Sequence, residues 1–314
     1  MEKSFRELLR ASFKSEDTEE WLDVHFTRPI GLAFALVWKR LGVHPNAVTI
    51  LSFFLGAGAG WMFWHDDLAH NIGGVALLML ANFCDSTDGQ LARITGQKTL
   101  LGRILDGFSS DVWFVAVYFA LAFRLAGRDI PFTHIHWGIG IFIVCAFAGL
   151  VCHARQCALA DYYRQIHLYF LLGKDGSELA DSKEQWAIYR SIPRRPANWF
   201  LLVYHYNYAK YCAGQARRTP AFQRFFAKVK AKWPAEGAIP QALRDDFRRG
   251  SKPLMKYTNI LTFNTRAIVL YLSCLLDVPY VYPLFEIVVM SALCHHMWSR
   301  HEALCSQLEA KHSL

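Results

Sequence analysis

Charge is scarce in this chain, and no cysteine is placed for a metal ribbon. Asp, Glu, Lys and Arg make up 19% of 314 residues, against 53% hydrophobic ones. None of the eight cysteines (84, 145, 152, 157, 212, 274, 294 and 305) stands in a CxxC pair, and most fall in apolar runs. They read as small buried hydrophobes in a reducing compartment. Repeats and low-complexity tracts are absent, and the opening MEKSFRELLRASFKSEDTEEW is too charged to supply the apolar core of a cleavable signal. Basic residues are also missing from one set of connections. With residues 1–46 taken as cytoplasmic, the opposite connections are 65–71, 124–134 and 277–280, and only Arg124 and Arg128 of the 34 Lys and Arg fall there.

What the chain has instead is long apolar blocks. A hydrocarbon core needs about 20 residues of helix, and six stretches approach that length: Val48 to Trp64, Ile72 to Arg93, Ile104 to Phe123, Ile135 to Cys152, Ile260 to Leu276 and Val281 to Met297. The expected fold class is an all-α integral membrane protein with six transmembrane helices, an N-terminal interfacial helix and a cytoplasmic helical insertion. One-sided basic charge places both termini inside, as in a bacterial inner membrane, and favours contact with anionic headgroups. No nucleic-acid partner is expected.

The chain divides into residues 1–44, a cytoplasmic segment and interfacial helix; 45–165, spans one to four; 166–256, a cytoplasmic insertion; and 257–314, the last two spans and a tail. Pro29 to Val43 is too short to span comfortably and reads as a helix lying against the membrane, with a seventh span as the alternative. Within the insertion, PAFQRFFAKVKAKW places Phe222, Phe225, Phe226 and Val229 on one side. It fits either a membrane-surface helix or part of a packed peripheral subdomain. His295 and His296, adjacent in the last span, point about 100° apart and read as interfacial residues.

The chemistry concentrates between Asp85 and Asp106, in DSTDGQLARITGQKTLLGRILD. On a helix at about 100° per residue, Asp85, Asp88, Gly89 and Ala92 share one face and Arg93 sits at its edge. Gly102 and Asp106 share a face of the next helix, which a short turn containing Lys98 brings back antiparallel. Carboxylates are expensive in a membrane, and three converging ones call for hard divalent cations, Mg²⁺ or Mn²⁺, two ions being expected. Small residues let a ligand approach the backbone, and Arg93 can donate to phosphate oxygens. These parts point to metal-assisted phosphoryl transfer at a membrane surface. For a bare DxxD, a structural Asp–Arg lock or an ion path would weigh about equally.

The set resembles the signature of the CDP-alcohol phosphotransferase (CDP-alcohol phosphatidyltransferase) family, D-x2-D-G-x2-A-R-x8-G-x3-D-x3-D, and PNAVT before the first span is also typical of it. The resemblance covers roughly residues 45–165 and 257–305. It implies a six-helix membrane domain, a homodimer, and a site open to the cytoplasm where an acceptor hydroxyl displaces CMP from a CDP-linked lipid or alcohol. By the same resemblance Asp85, Asp88 and Asp106 are the metal ligands, and Gly89, Ala92, Arg93 and Gly102 the nucleotide-binding positions. The family's fourth aspartate, its general base, is replaced by Ser110. Asp111 follows, and a π-bulge near Gly107 is expected to swing it into the site, so Asp111 joins Asp106 as a catalytic candidate; loss of the base is the alternative.

Arg155 and Arg266 resemble in position the basic pair that grips the acceptor phosphate in phosphatidylinositol phosphate synthases, and Lys98 is a third acceptor-binding candidate. The expected partners are therefore CDP-diacylglycerol, a polar alcohol acceptor and the bilayer, with inositol phosphate the first acceptor and glycerol phosphate or serine next. Transfer from a soluble CDP-alcohol to a lipid hydroxyl, and a non-catalytic CDP-lipid binder, are the other readings. A transporter would spread its charges along several spans, whereas these gather at one end.

Overall fold

The chain is described by a computed structural model covering residues 4–13 and 15–314; residues 1–3 and Lys14 of the expected N-terminal segment lie outside the described residues. Among the described residues the chain is helical, with no strand beyond an isolated bridge between Asp129 and His136. The helices are α1 Phe5–Ser12, α2 Arg28–Arg40, α3 Pro45–Trp64, α4 Leu68–Thr95 and α5 Leu100–Ala126. Next come α6 Gly140–Ala146, α7 Ala154–Leu172, α8 Ser182–Ser191, α9 Trp199–Arg218 and α10 Pro220–Lys232. The last are α11 Gln241–Ser251, α12 Met255–Ile260, α13 Phe263–Leu275, α14 Val281–Phe285 and α15 Ser291–Lys311. Three π-helical turns interrupt the series, at Asp23–Thr27, Phe147–His153 and Glu286–Met290.

Among the described residues, four helices are long and apolar enough to cross a bilayer, over Pro45–Trp64, Leu68–Thr95, Ile104–Ala126 and Gly140–Leu172. The fifth expected span is shorter than the apolar run suggested. A turn at Leu261 and Thr262 divides it, leaving α13 with 13 residues, about 20 Å of helix against a core of about 30 Å. The sixth expected span covers α14, the π turn and the start of α15, and carries the polar residues Glu286, Ser291, His295 and His296.

Two compact units are present. The first comprises Met1–Ala154 and Phe263–Met290. Here α3 packs against both α4 and α5. A Cβ on Gly56 would fall 1.9 Å from the Trp113 indole, and one on Gly60 2.8 Å from Ala116. Those two glycines let α3 lie directly on α5. Phe63, Leu78, Val117, Leu121 and Ile141 close the core around them. The short helix α2 begins with Pro29 in its first turn and ends with Lys39 and Arg40 in its last. It packs on α4, burying Gly31, Leu32 and Ala35 while Phe34, Val37 and Leu41 stay exposed.

One end of this unit is tied by charge. The buried Arg124 guanidinium donates to Asn71 Oδ1 at 2.8 Å, to the Phe63 carbonyl at 3.1 Å and to Asp277 Oδ1 at 2.8 Å. Arg128 donates to Asp277 at 2.8 Å and to Asp66 at 3.2 Å. Arg124 and Arg128 thus tie helices together at this end of the unit.

The second unit comprises Arg155–Thr262 and Ser291–Leu314, wider than the 166–256 insertion of the sequence division. Its interior is aromatic: Phe170 stacks on Phe247 at 4.0 Å and Tyr163 on His301 at 4.0 Å. Of the two readings of α10, the packed subdomain is the one observed. Phe222, Phe225 and Val229 are buried, α10 rests on α15, and Glu302 accepts from the Ala221 amide at 2.7 Å at the helix N-terminus. The apolar stripe is consumed inside the unit, and the exposed aromatics lie on α9 instead, at Trp199, Tyr206 and Tyr211. None of the eight cysteines is in a disulfide, and seven of them are buried.

Candidate active site

The first unit brings together the three aspartates. Asp85 and Asp88 sit one turn apart near the end of α4, a long helix closed by Gly96 in the left-handed region at φ 72°. That glycine stops α4 and turns the chain back, so that Asp106 arrives on α5 beside them. One carboxylate oxygen from each of Asp85, Asp88 and Asp106 lies within 4.8 Å of the others, with Asp88 buried, Asp85 half-buried and Asp106 exposed. At an effective dielectric of about 20, each ionised pair at that spacing repels by on the order of 3 kcal/mol. A divalent cation among them turns that repulsion into attraction, and an all-carboxylate donor set suits Mg²⁺ or Mn²⁺.

Two hydroxyls orient these carboxylates. Ser109, buried on α5, donates to Asp85 Oδ1, its Oγ 2.9 Å from the Asp106 carbonyl. Thr49 on α3 donates to Asp88 Oδ2. Thr49 closes the PNAVT segment, and another member of it explains Gly102. A Cβ on Gly102 would lie 2.7 Å from Asn46 Oδ1 and 3.0 Å from Thr99 Oγ1. Glycine at 102 therefore seats the start of α3 against the start of α5. Gly89 is different: a Cβ there would meet only the Arg93 guanidinium, at 3.6 Å, an ordinary contact. Packing within the chain does not demand glycine at 89.

Arg93 is exposed at the end of α4, Ala92 is half-buried beside it, and Lys98 is exposed in the turn before α5. Gln90 donates to the Arg28 carbonyl at 3.1 Å, fastening the start of α2 next to this face, and Arg28 pairs with Glu19 at 2.9 Å. Nothing in the spacing of the aspartates pointed to this contribution from residues 19–31.

Asp111 is not brought to the cluster. Helix α5 is regular from Leu100 to Ala126, so the expected π-bulge is absent, and residues five apart remain about 140° apart. Asp111 instead lines a largely apolar cavity of about 380 Å³ with Phe114, Tyr118, Phe142, Leu150 and His153. Gly107 permits a distortion, but Ser109 holds the helix in register by bonding across to Asp85. Ser109, three residues from Asp106 and on its side of the helix, makes the contact with the cluster that neither Ser110 nor Asp111 supplies by family spacing.

Arg266 likewise differs from its expected role. It is fully buried, and its Nη1 donates to Glu286 Oε2 at 2.5 Å, both side chains 0% exposed. His153 lies 3.9 Å from the other Glu286 oxygen and 3.4 Å from the Tyr118 hydroxyl. The guanidinium charge is matched inside the helix bundle rather than presented to an acceptor phosphate. Arg155 opens the second unit and is exposed. His295 and His296 are both exposed and engage separate rings, Trp298 and Tyr257.

Residues 42–168 match the family described as CDP-alcohol phosphatidyltransferase. A curated relative, an archaetidylinositol phosphate synthase of Pyrococcus horikoshii, is 30% identical over 105 residues, 33% of this chain and 53% of that protein. The chain thus spans about half the length of the curated relative it matches. No solved structure matches. The matched stretch contains the whole aspartate cluster with Thr49, Ser109 and the Gly102–Asn46 contact, so the site lies within the segment that matches the CDP-alcohol phosphatidyltransferase family.

Proposed function

We propose that this protein is a membrane phosphatidyltransferase of phospholipid synthesis. It moves the phosphatidyl group of CDP-diacylglycerol to a hydroxyl of a polar, anionic acceptor and releases CMP. Three carboxylates from two helices, converging within 4.8 Å, carry the reading. Bound there, a divalent ion would neutralise the diphosphate and stabilise the departing CMP. Asp85, Asp88 and Asp106 hold it, Ser109 and Thr49 fix two of those carboxylates, and Gly89 leaves room for the nucleotide beside Arg93. Asp106 is the exposed carboxylate of the three and serves as the proton acceptor for the attacking hydroxyl. Six spans, a dimer, and a site and termini facing the cytoplasm belong to the same proposal.

The acceptor reading is inositol phosphate. The relative is named for making archaetidylinositol phosphate, and Lys98 and Arg155, each in its own unit, are exposed cations of a kind suited to a phosphate. Labelled CDP-diacylglycerol in reconstituted membranes with Mg²⁺, offered inositol phosphate, inositol, glycerol phosphate or serine, tests it. Product with inositol phosphate alone supports the reading; transfer only to serine or glycerol phosphate replaces it. One observation favours a second reading, a non-catalytic CDP-lipid binder: Ser110 stands at the fourth aspartate position and Asp111 faces elsewhere. Absence of CMP with every acceptor would select that reading.

A further inference from the structure

The connection between α3 and α4 carries a second cluster that the transferase chemistry does not use. His65 caps the end of α3, Asp67 caps the start of α4, and His70 lies one turn into α4. One ligand atom from each of the three lies within 4.8 Å of the others. The two imidazole centroids are 4.2 Å apart, and Trp61 packs edge-on against both rings, at 5.1 and 6.3 Å. His70 Nδ1 is 2.5 Å from Asp67 Oδ2. His65 Nε2 is buried and has no hydrogen-bond partner among the described residues. A buried ring nitrogen without a partner costs stability unless something binds it.

We infer that His65, Asp67 and His70 form a binding site for a borderline-soft divalent cation of the Zn²⁺ class. Two imidazoles and one carboxylate are a donor set that such an ion prefers, with its fourth position left to water. The aspartate cluster, all oxygen, prefers Mg²⁺ instead. Asp85 lies eighteen positions after the cap residue Asp67, about 27 Å along the axis of α4, so the two sites are well separated along that helix. An ion there clips the end of one spanning helix to the start of the next, next to the Arg128–Asp66 pair. The inference is independent of the acceptor and of the transfer reaction.

The test is Zn²⁺ titration of the full-length, metal-stripped protein in lipid nanodiscs with excess Mg²⁺, read by calorimetry and by thermal unfolding. One Zn²⁺ per chain should bind and raise the unfolding temperature. His65→Ala and His70→Ala should each weaken binding by about tenfold or more. Asp67→Asn separates the site from the fold, because asparagine keeps the helix cap while removing the carboxylate charge; it too should weaken Zn²⁺ binding. Asp88→Asn should leave it unchanged. Binding that survives His65→Ala and His70→Ala, binding that disappears with Asp88→Asn, or no Zn²⁺ bound in excess Mg²⁺ would each overturn the assignment.

Discussion

Ser109 on α5 donates its hydroxyl to the carboxylate of Asp85 on α4, joining the two helices that build the aspartate cluster. A hydrogen bond to a charged group contributes about 1.5–3 kcal/mol, and such supports tune metal affinity by about 10–100-fold. Ser109→Ala should raise the Mg²⁺ concentration for half-maximal CMP release by at least about tenfold, while Ser110→Ala should change it little. Mg²⁺ titration of CMP release from reconstituted protein reads both.

Asp111 lies on another face of α5 from Asp106, along the apolar cavity. Asp111→Asn should therefore keep turnover within about twofold of the wild type, since an aspartate that touches neither metal nor acceptor contributes no barrier lowering. Ser110→Asp places a carboxylate about 40° from Asp106 and should raise kcat near neutral pH. Loss of turnover in Asp111→Asn would restore that residue as the base.

Arg266 and Glu286 form a pair with no exposure to solvent. Removing one partner of such a pair costs about 3–5 kcal/mol, whereas replacing both with apolar residues is often neutral. Arg266→Leu should lower the unfolding temperature sharply, and Arg266→Leu combined with Glu286→Leu should recover most of it. Acceptor KM should follow neither change in the protein that remains folded. A selective rise in acceptor KM would return Arg266 to the binding site.

His301 lies in the interior of the second unit, on α15 past the end of the sixth expected span at Met297. Burial, with His167 nearby, pushes its imidazole from an ordinary 6.5 down to about 3. Between those values the unfolded chain binds a proton that the folded unit does not, so stability rises with pH across that window and is lost on acidification. Unfolding followed from pH 4 to 7 should show this slope, and His301→Phe should flatten it. An unchanged slope in His301→Phe would place the titration elsewhere.

The aspartate cluster was legible because a helix repeats about every 3.6 residues, so spacing alone put Asp85, Asp88, Gly89 and Ala92 on one face. The PNAVT segment was visible as a pattern, but its physical use was not. Asn46 against Gly102 and Thr49 against Asp88 are contacts between residues 39 to 56 apart in sequence, which no local periodicity encodes. The same limit hid the Arg124–Asp277 tie and the Glu286 partner of Arg266. The bulge at Asp111 rests on family spacing alone, whereas α5 is regular there and it is Ser109 that meets Asp85. α10 was ambiguous by its pattern, since an apolar stripe reads alike whether it meets lipid or a protein core. Glu302 and α15, about eighty residues away, decide that case.

The most direct measurement is CMP release from CDP-diacylglycerol by reconstituted protein carrying Asp85→Asn, Asp88→Asn and Asp106→Asn together, with Mg²⁺ titrated and folding checked by thermal unfolding. The account predicts a folded protein with no Mg²⁺-dependent CMP release above background. Wild-type release from that triple variant would contradict it.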